Sequence, residues 1–276
     1  MTSVSRSQMP LTERFSMQVI HRDLDARIVG QHIHIFDEVE STNAMLRDLA
    51  RLGASDGTVV LAESQRRGRG RLGRPWFSPP NVNFYASVLL EGELRLEDMG
   101  PVSFIGSLAT SDAIKDLGLA PAIKWPNDVL LDRQKVAGAL LEWVPRELVP
   151  DCAVIGVGVN LNVDLARLRE ALGPEAAFAT SVAAALGRPI DRSRFAASFL
   201  NHLDRWWRRY RLAGARPLVR AWQDRDILTG RRVELRGAGG SIEGRALGID
   251  DGGRLIVRTA AGDRHMVLTE DVRVLD

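Results

Sequence analysis

Cysteine is almost missing from this chain. Cys152 is the only one in 276 residues, so no internal disulfide can form and a paired-cysteine metal site is excluded. It adjoins Ala153-Val154-Ile155, where a buried structural thiol is expected. Histidine is sparse too: His21, His32, His34, His202 and His265 share no ligand-type spacing, which argues against a structural zinc. Neither sign of charge is in excess. With 37 Lys and Arg against 35 Asp and Glu, the net +2 makes no general case for a nucleic-acid or membrane-surface partner. Long apolar runs are also lacking. Arg6, Pro10, Glu13, Arg14, Arg22, Asp23 and Asp25 interrupt the first thirty residues, so a signal peptide is not expected there. No stretch reaches bilayer length. A cytoplasmic protein without a membrane partner is the expectation. What remains is ordinary globular composition, 45% hydrophobic and 26% charged, enough to bury a sizeable core in a large domain with or without a small one.

Hydrophobic periodicity orders the chain. Gln31 to Phe36 alternates polar and apolar residues and predicts a strand. Ser41 or Thr42 is placed to cap a short helix ending near Gly53. Strands are predicted over 58–62 and 83–90, then a helix over 101–118 stopped by Gly118. Residues 122–125 and 129–131 suggest a hairpin through Pro126-Asn127-Asp128, followed by strands over 136–144 and 152–160. Helices are expected over 176–187 and 192–226. Past Thr229-Gly230, short apolar pieces at 233–235, 241–249, 254–259 and 265–268 alternate with Gly-rich turns, the texture of a small all-β module. The boundary is set near residue 227, giving an extension over 1–30, a large domain over 31–227 and a small one over 228–276.

Residues 65 to 76, Gln65-Arg66-Arg67-Gly68-Arg69-Gly70-Arg71-Leu72-Gly73-Arg74-Pro75-Trp76, interleave three glycines with five arginines and suit neither an ordinary helix nor a strand. Glycine lets backbone N–H groups approach an anion, and arginine adds bidentate bonds to phosphate or carboxylate. A cationic loop closing over a phosphorylated intermediate is one reading; a solvated basic loop or an arginine-rich RNA-binding segment is the other. A second element, Lys124-Trp125-Pro126-Asn127-Asp128, precedes Lys135-Val136-Ala137-Gly138-Ala139-Leu140-Leu141-Glu142. Asp128 could neutralise a metal ion that accompanies nucleotide phosphates, with Asn127 orienting it or the nucleotide. Lys135 opens a strand that soon turns apolar, so its ammonium can project into a cleft and stabilise charge on a carboxylate and a phosphoryl group. A plain turn and a snorkelling strand-end lysine are the alternatives.

Taken together with Glu40-Ser41-Thr42-Asn43 and Gly156-Val157-Gly158-Val159-Asn160-Leu161-Asn162, these elements resemble the biotin–protein ligase family. They stand in the family's order, and the eleven-residue step from Lys124 to Lys135 matches. The resemblance implies a mixed α/β catalytic domain with a mixed sheet, followed by a small SH3-like β-barrel. It implies a two-step reaction in which biotin and ATP give biotinyl-5′-adenylate and pyrophosphate, and a carrier-domain lysine then displaces AMP. Catalysis would rest on positioning and charge stabilisation, without a covalent enzyme intermediate. Carried onto this chain, Ser41, Thr42, Asn43 and Gln65 would line the biotin end. Arg69, Gly70 and Arg71 would close over biotin and the phosphates, with Arg74 on the nucleotide and Trp76 covering the adenine. Lys135 and Arg71 would be catalytic, Lys135 touching the biotin carboxylate and the α-phosphate. Asn127 and Asn160 would lie by the nucleotide and Asp128 by Mg²⁺. The partner implied is a biotin carboxyl carrier domain of a carboxylase; monomer and homodimer both stay open.

The chain departs from the pattern in two places. About thirty residues precede the first strand, too few for the winged helix-turn-helix of repressor members, so DNA binding is not expected. Ala137 stands where family members often have glycine, and its methyl could reshape the pocket. A lipoate–protein ligase or octanoyl transferase is the nearest rival, and a nucleic-acid-binding module the more distant one. Arg205-Trp206-Trp207-Arg208-Arg209-Tyr210-Arg211 could suggest the latter, but helical spacing puts Leu203, Trp206, Trp207 and Tyr210 on a packed face beside solvated arginines.

Overall fold

The computed structural model describes residues 13–146, 151–237, 240–268 and 270–276. Seven strands form its central sheet: β1 (Ile33–Val39), β2 (Val59–Gln65), β3 (Phe84–Glu91), β4 (Ala122–Lys124), β5 (Asp128–Leu131), β6 (Gln134–Val144) and β7 (Cys152–Val159), in the order β1-β2-β3-β7-β6-β5-β4. β1 and β2 are parallel, joined by a crossover through helix α2 (Thr42–Arg51); the other neighbours are antiparallel. This is the mixed α/β architecture expected from the sequence.

Strand alternation then decides where a cleft can open. Successive β7 side chains face opposite sides of the sheet. Ile155, Val157 and Val159 enter the main core beneath α3 (Met99–Lys115) and α6 (Arg192–Ala213). Cys152 and Val154 face the other way and pack with Leu46 and Ala50 of α2. Gly156 and Gly158 follow on that second side, beyond the cover of α2, so a cavity rather than side chains lies above them. Helix α3 is buried around most of its circumference between sheet and α6. Trp206, Trp207 and Tyr210 are buried in α6 while Arg205 and Arg209 are exposed, so the aromatic–arginine segment is a packed face with a solvated edge.

Residues 13–30 are part of this body. Helix α1 (Met17–Asp23) is capped by Ser16, and Phe15, Ile20 and Val29 join the main core. Phe15 N–H donates to Glu63 Oε1 at 2.6 Å, and Glu63 is paired with Arg192 at 2.7 Å.

Helices at 176–187 and 192–226 need correction. Residues Gly173–Phe178 form a 3-10 turn, and only α5 (Val182–Leu186) is α-helical, starting where Ser181 Oγ accepts from Ala184 N–H. Gly214, with φ 69°, ends α6, and α7 (Arg216–Gln223) begins afresh. Helix α4 (Leu165–Leu172), capped by Asp164, was not foreseen.

The C-terminal unit is a five-stranded antiparallel sheet, β11-β10-β9-β8-β12, built from β8 (Arg232–Gly237), β9 (Gly240–Ile249), β10 (Leu255–Arg258), β11 (Arg264–Val267) and β12 (Asp271–Val274). β12 lies beyond the strands predicted from the sequence. Val233, Leu235 and Leu255 belong to the same apolar cluster as Phe104 and Trp222, and Trp125 Nε1 donates to Gly253 O at 2.9 Å. Among the described residues no helix is long and apolar enough to cross a membrane.

Candidate active site

The sheet's open side and the C-terminal sheet enclose one cleft of about 1040 Å³. Ser41, Thr42, Asn43, Gln65, Arg69, Gly70, Arg71, Arg74, Trp76, Asn127, Asp128, Lys135 and Asn160 all line it. Ala137 does not; it is buried in the main core, so its methyl leaves the cleft unchanged, against the sequence-based expectation.

One end is a hydrogen-bonded polar pocket. β2 runs as far as Gln65, longer than predicted, and its last side chain reaches the start of α2. Gln65 Oε1 accepts from Thr42 N–H at 2.9 Å and from Thr42 Oγ1 at 3.2 Å. Ser41 occupies the N-cap position without a side-chain capping bond, so Gln65 takes over part of that work. Ser87 Oγ lies 2.8 Å from Thr42 Oγ1 and 2.6 Å from Asn43 Oδ1, and Asn43 Nδ2 donates to Glu142 Oε2 at 2.8 Å. Gln65 Nε2 in turn donates to Ser78 Oγ at 3.0 Å. Ser78 and Ser87 have no place in the site expected from the sequence, and Glu142 stands there only as the end of the Lys135 strand. They sit 13 to 99 residues from their partners, and only period-2 alternation along β3 and β6 could have placed Ser87 and Glu142 on this face.

The floor is glycine. A Cβ on Gly156 would fall 2.0 Å from Asn43 Oδ1, and one on Gly158 would fall 2.4 Å from Trp76 Nε1. The Trp76 indole therefore lies flat against bare backbone of β7, and its buried Nε1 has no hydrogen-bond partner. The arginine loop folds back on itself: Gly70 N–H donates to Arg74 O at 2.7 Å and Trp76 N–H to Gly68 O at 2.8 Å. A 3-10 turn over Arg71–Gly73 forms its tip, with exposed Leu72 at φ 56°.

The other end is cationic. Lys135 Nζ pairs with Asp128 Oδ1 at 2.6 Å and sits 5.5 Å from the Trp76 ring centroid. Arg71 lies over Trp125 at 5.9 Å; burial pushes its guanidinium below the usual range, opposed by Asp128 and Asp271. Arg74 forms an ion pair with Asp271 of β12, tying the loop to the C-terminal sheet. Asn127 donates its side-chain amide to Ala139 O, and Asn160 donates to Thr180 O at 3.1 Å, so both side chains brace neighbouring backbone as well as lining the cleft. Among the described residues no group of three His, Cys, Asp or Glu side chains could hold a metal ion.

Residues 35–160 match the model of the biotin/lipoate A/B protein ligase family, and residues 228–272 that of the biotin protein ligase C-terminal domain. A biotin–[acetyl-CoA-carboxylase] ligase of Paracoccus denitrificans is 36% identical over 227 residues, covering 81% of this chain and 92% of its own. The chain belongs to the biotin–protein ligase family. Another ligase of that name, from Mycobacterium tuberculosis, is 31% identical over 281 residues and aligns with 98% of this chain and 97% of its own. The Aquifex aeolicus biotin protein ligase, solved with biotin and ATP, superposes with a TM-score of 0.74 at 27% identity, covering 88% of this chain and 99% of that one. Along its length the cleft passes from the polar pocket, across the glycine floor covered by Trp76, to the cationic end.

Proposed function

We propose that this cleft activates biotin with ATP and transfers it to a lysine of a biotin carboxyl carrier domain, in the cytoplasm. The observation that carries this is the gradient itself. A neutral donor–acceptor pocket at Thr42, Asn43, Gln65 and Ser87 suits the ureido ring, and Lys135 and Arg71 wait where its carboxylate would meet a phosphate. A biotin carboxylate oxygen attacks the α-phosphorus, the bond to the bridging oxygen breaks, and pyrophosphate leaves with the electron pair. The neutral carrier amine then attacks the acyl carbon, AMP departs, and the amine's proton passes to solvent. Lys135 exchanges Asp128 for the incoming anions, and Arg71 and Arg69 screen the mixed anhydride from water. Mg²⁺ on nucleotide phosphates needs one or two protein carboxylates, and Asp128 fits that modest demand; the ion would neutralise phosphate charge. Asn127 and Asn160 border the nucleotide.

The test is ATP-dependent transfer of labelled biotin to a carrier domain, with the modified lysine mapped. Exchange of pyrophosphate driven by lipoate and not by biotin would overturn the reading.

Two variants probe the parts. Gly158→Ala drives a methyl into Trp76 Nε1, so the indole must leave the floor. Losing its stacking costs roughly 1 to 3 kcal/mol of nucleotide binding, and the KM for ATP should rise while biotin affinity holds. Equal losses for both ligands would mean general collapse of the cleft. Arg71→Gly removes the loop's bidentate cation and should speed dissociation of labelled adenylate, spreading biotin onto bystander proteins. Parent-like dissociation and labelling would take Arg71 out of the retaining loop.

A further inference from the structure

Glu142 is a charge placed behind a neutral pocket. It does not line the cleft, and its side chain is only 24% exposed. Arg47 donates to its Oε1 at 3.3 Å, and Asn43 donates Nδ2 to its Oε2 at 2.8 Å. A carboxylate has no hydrogen to give, so it admits one orientation of the Asn43 amide, with the NH2 toward Glu142 and Oδ1 toward Ser87. Leu140 O, 3.4 Å from the same Nδ2, adds a weaker hold.

Counting hydrogens carries the consequence along the pocket. Asn43 Oδ1 has no hydrogen either, so its 2.6 Å contact with Ser87 Oγ uses the one hydroxyl hydrogen that Ser87 owns. The 2.8 Å contact between Ser87 Oγ and Thr42 Oγ1 then draws on the Thr42 hydrogen. The other acceptor for that hydrogen, Gln65 Oε1 at 3.2 Å, also lies inside the network, fixed there by Thr42 N–H. In both cases the Thr42 hydroxyl, on the lining of the cleft, keeps lone pairs and no hydrogen for a ligand. Were the Asn43 amide turned over, the Ser87 hydrogen would be free for Thr42, and Thr42 could donate outward. The Glu142 charge bars that state. Resting on the reading above, we infer that Glu142 is a positioning residue for biotin: through Asn43 and Ser87 it fixes Thr42 as an acceptor, so the pocket selects a ring that brings an N–H.

Glu142→Gln keeps the shape and lets either amide orientation stand. Its KM for biotin should rise roughly tenfold, the scale of a hydrogen bond to a charged group, while the KM for ATP and kcat hold. Selectivity is the readout that separates positioning from packing. The probes are two cyclic carbamate analogues of biotin, each with one ureido N–H replaced by oxygen. The parent should bind at least one of them roughly tenfold or more weakly than biotin. In Glu142→Gln that ratio should shrink toward one, because Thr42 can then donate to the ring oxygen. Ser87→Ala cuts the relay one step further on and should lose the same selectivity with Glu142 untouched; melting curves verify that both variants fold. Parent-like selectivity in either folded variant would overturn the inference, as would equal weakening of biotin and both analogues. The Asn43 side-chain amide signal, assigned by its loss in Asn43→Asp, should also move in the NMR spectrum of ligand-free Glu142→Gln, and an unmoved signal would count against the relay. A parent enzyme that ignores biotin would remove the biotin reading while leaving that signal to test the relay.

Discussion

Lys135→Ala should form biotinyl-adenylate roughly 30- to 1,000-fold more slowly than the parent, the equivalent of about 2 to 4 kcal/mol of lost charge stabilisation. The geometry explains both the size and the selectivity of the effect. The ammonium stands 2.6 Å from Asp128 and beside the Trp76 ring, where an approaching carboxylate and an α-phosphate would both need a cation. Its removal leaves Asp128 facing those anions uncompensated, so repulsion adds to the loss. The fold should barely notice. The Lys135 side chain is 36% exposed, and an ion pair so open to water contributes at most about 1 kcal/mol. Single-turnover measurement of adenylate with a melting curve alongside is the check. Near-parent adenylation would strike Lys135 from the mechanism, and a collapsed melting temperature would recast it as structural.

The largest stability effect is expected far from the chemistry. Arg192 and Glu63 are both 4% exposed and bonded at 2.7 Å. Arg192 also donates to Asn83 O at 3.1 Å and to Glu13 O, and lies over the Phe15 ring. Arg192→Met would leave Glu63 as a buried carboxylate with the Phe15 N–H as its remaining donor. Breaking a buried pair in this way costs about 3 to 5 kcal/mol, enough to lower the melting temperature by about 10 °C in a chain of this size. Replacing both partners by apolar residues should recover a good part of the loss, because no charge is then stranded. A single variant within about 1 kcal/mol of the parent by urea titration would show that water reaches Glu63.

The contrast between these residues shows what could be read from the sequence. Lys135, Asp128 and the glycine–arginine loop sit in short motifs whose residue types carry their chemistry, and the strands around them alternate plainly. Arg192 and Glu63 are 129 positions apart, and nothing local says that one completes the other. The same separation hid Ser87 and Glu142 behind Asn43. Helix α4 carried its signal in Asp164, a residue suited to capping, yet its eight residues are too short for a periodic pattern to stand out. The Gly214 break was legible as glycine but masked by apolar spacing that continues on both sides. β12 alternates polar and apolar over Asp271-Val272-Arg273-Val274, but four residues are too short for that pattern to stand out, and pairing with β8 is what defines it. Because β12 supplies Asp271, part of the cleft's wall was invisible with it.

The apolar cluster runs without interruption from Phe104 and Trp222 into Val233, Leu235 and Leu255, and Trp125 is bonded across to Gly253. The change of architecture near residue 228 is therefore not a seam. Two units that share one interior cannot melt independently, since loosening the small sheet uncovers the aromatic side chains that anchor the large one. Cooperativity of this kind makes the small sheet a guarantor of the cleft: damage in the last fifty residues lowers the stability of the whole body, so the Lys135 end and the Thr42 pocket lose order together.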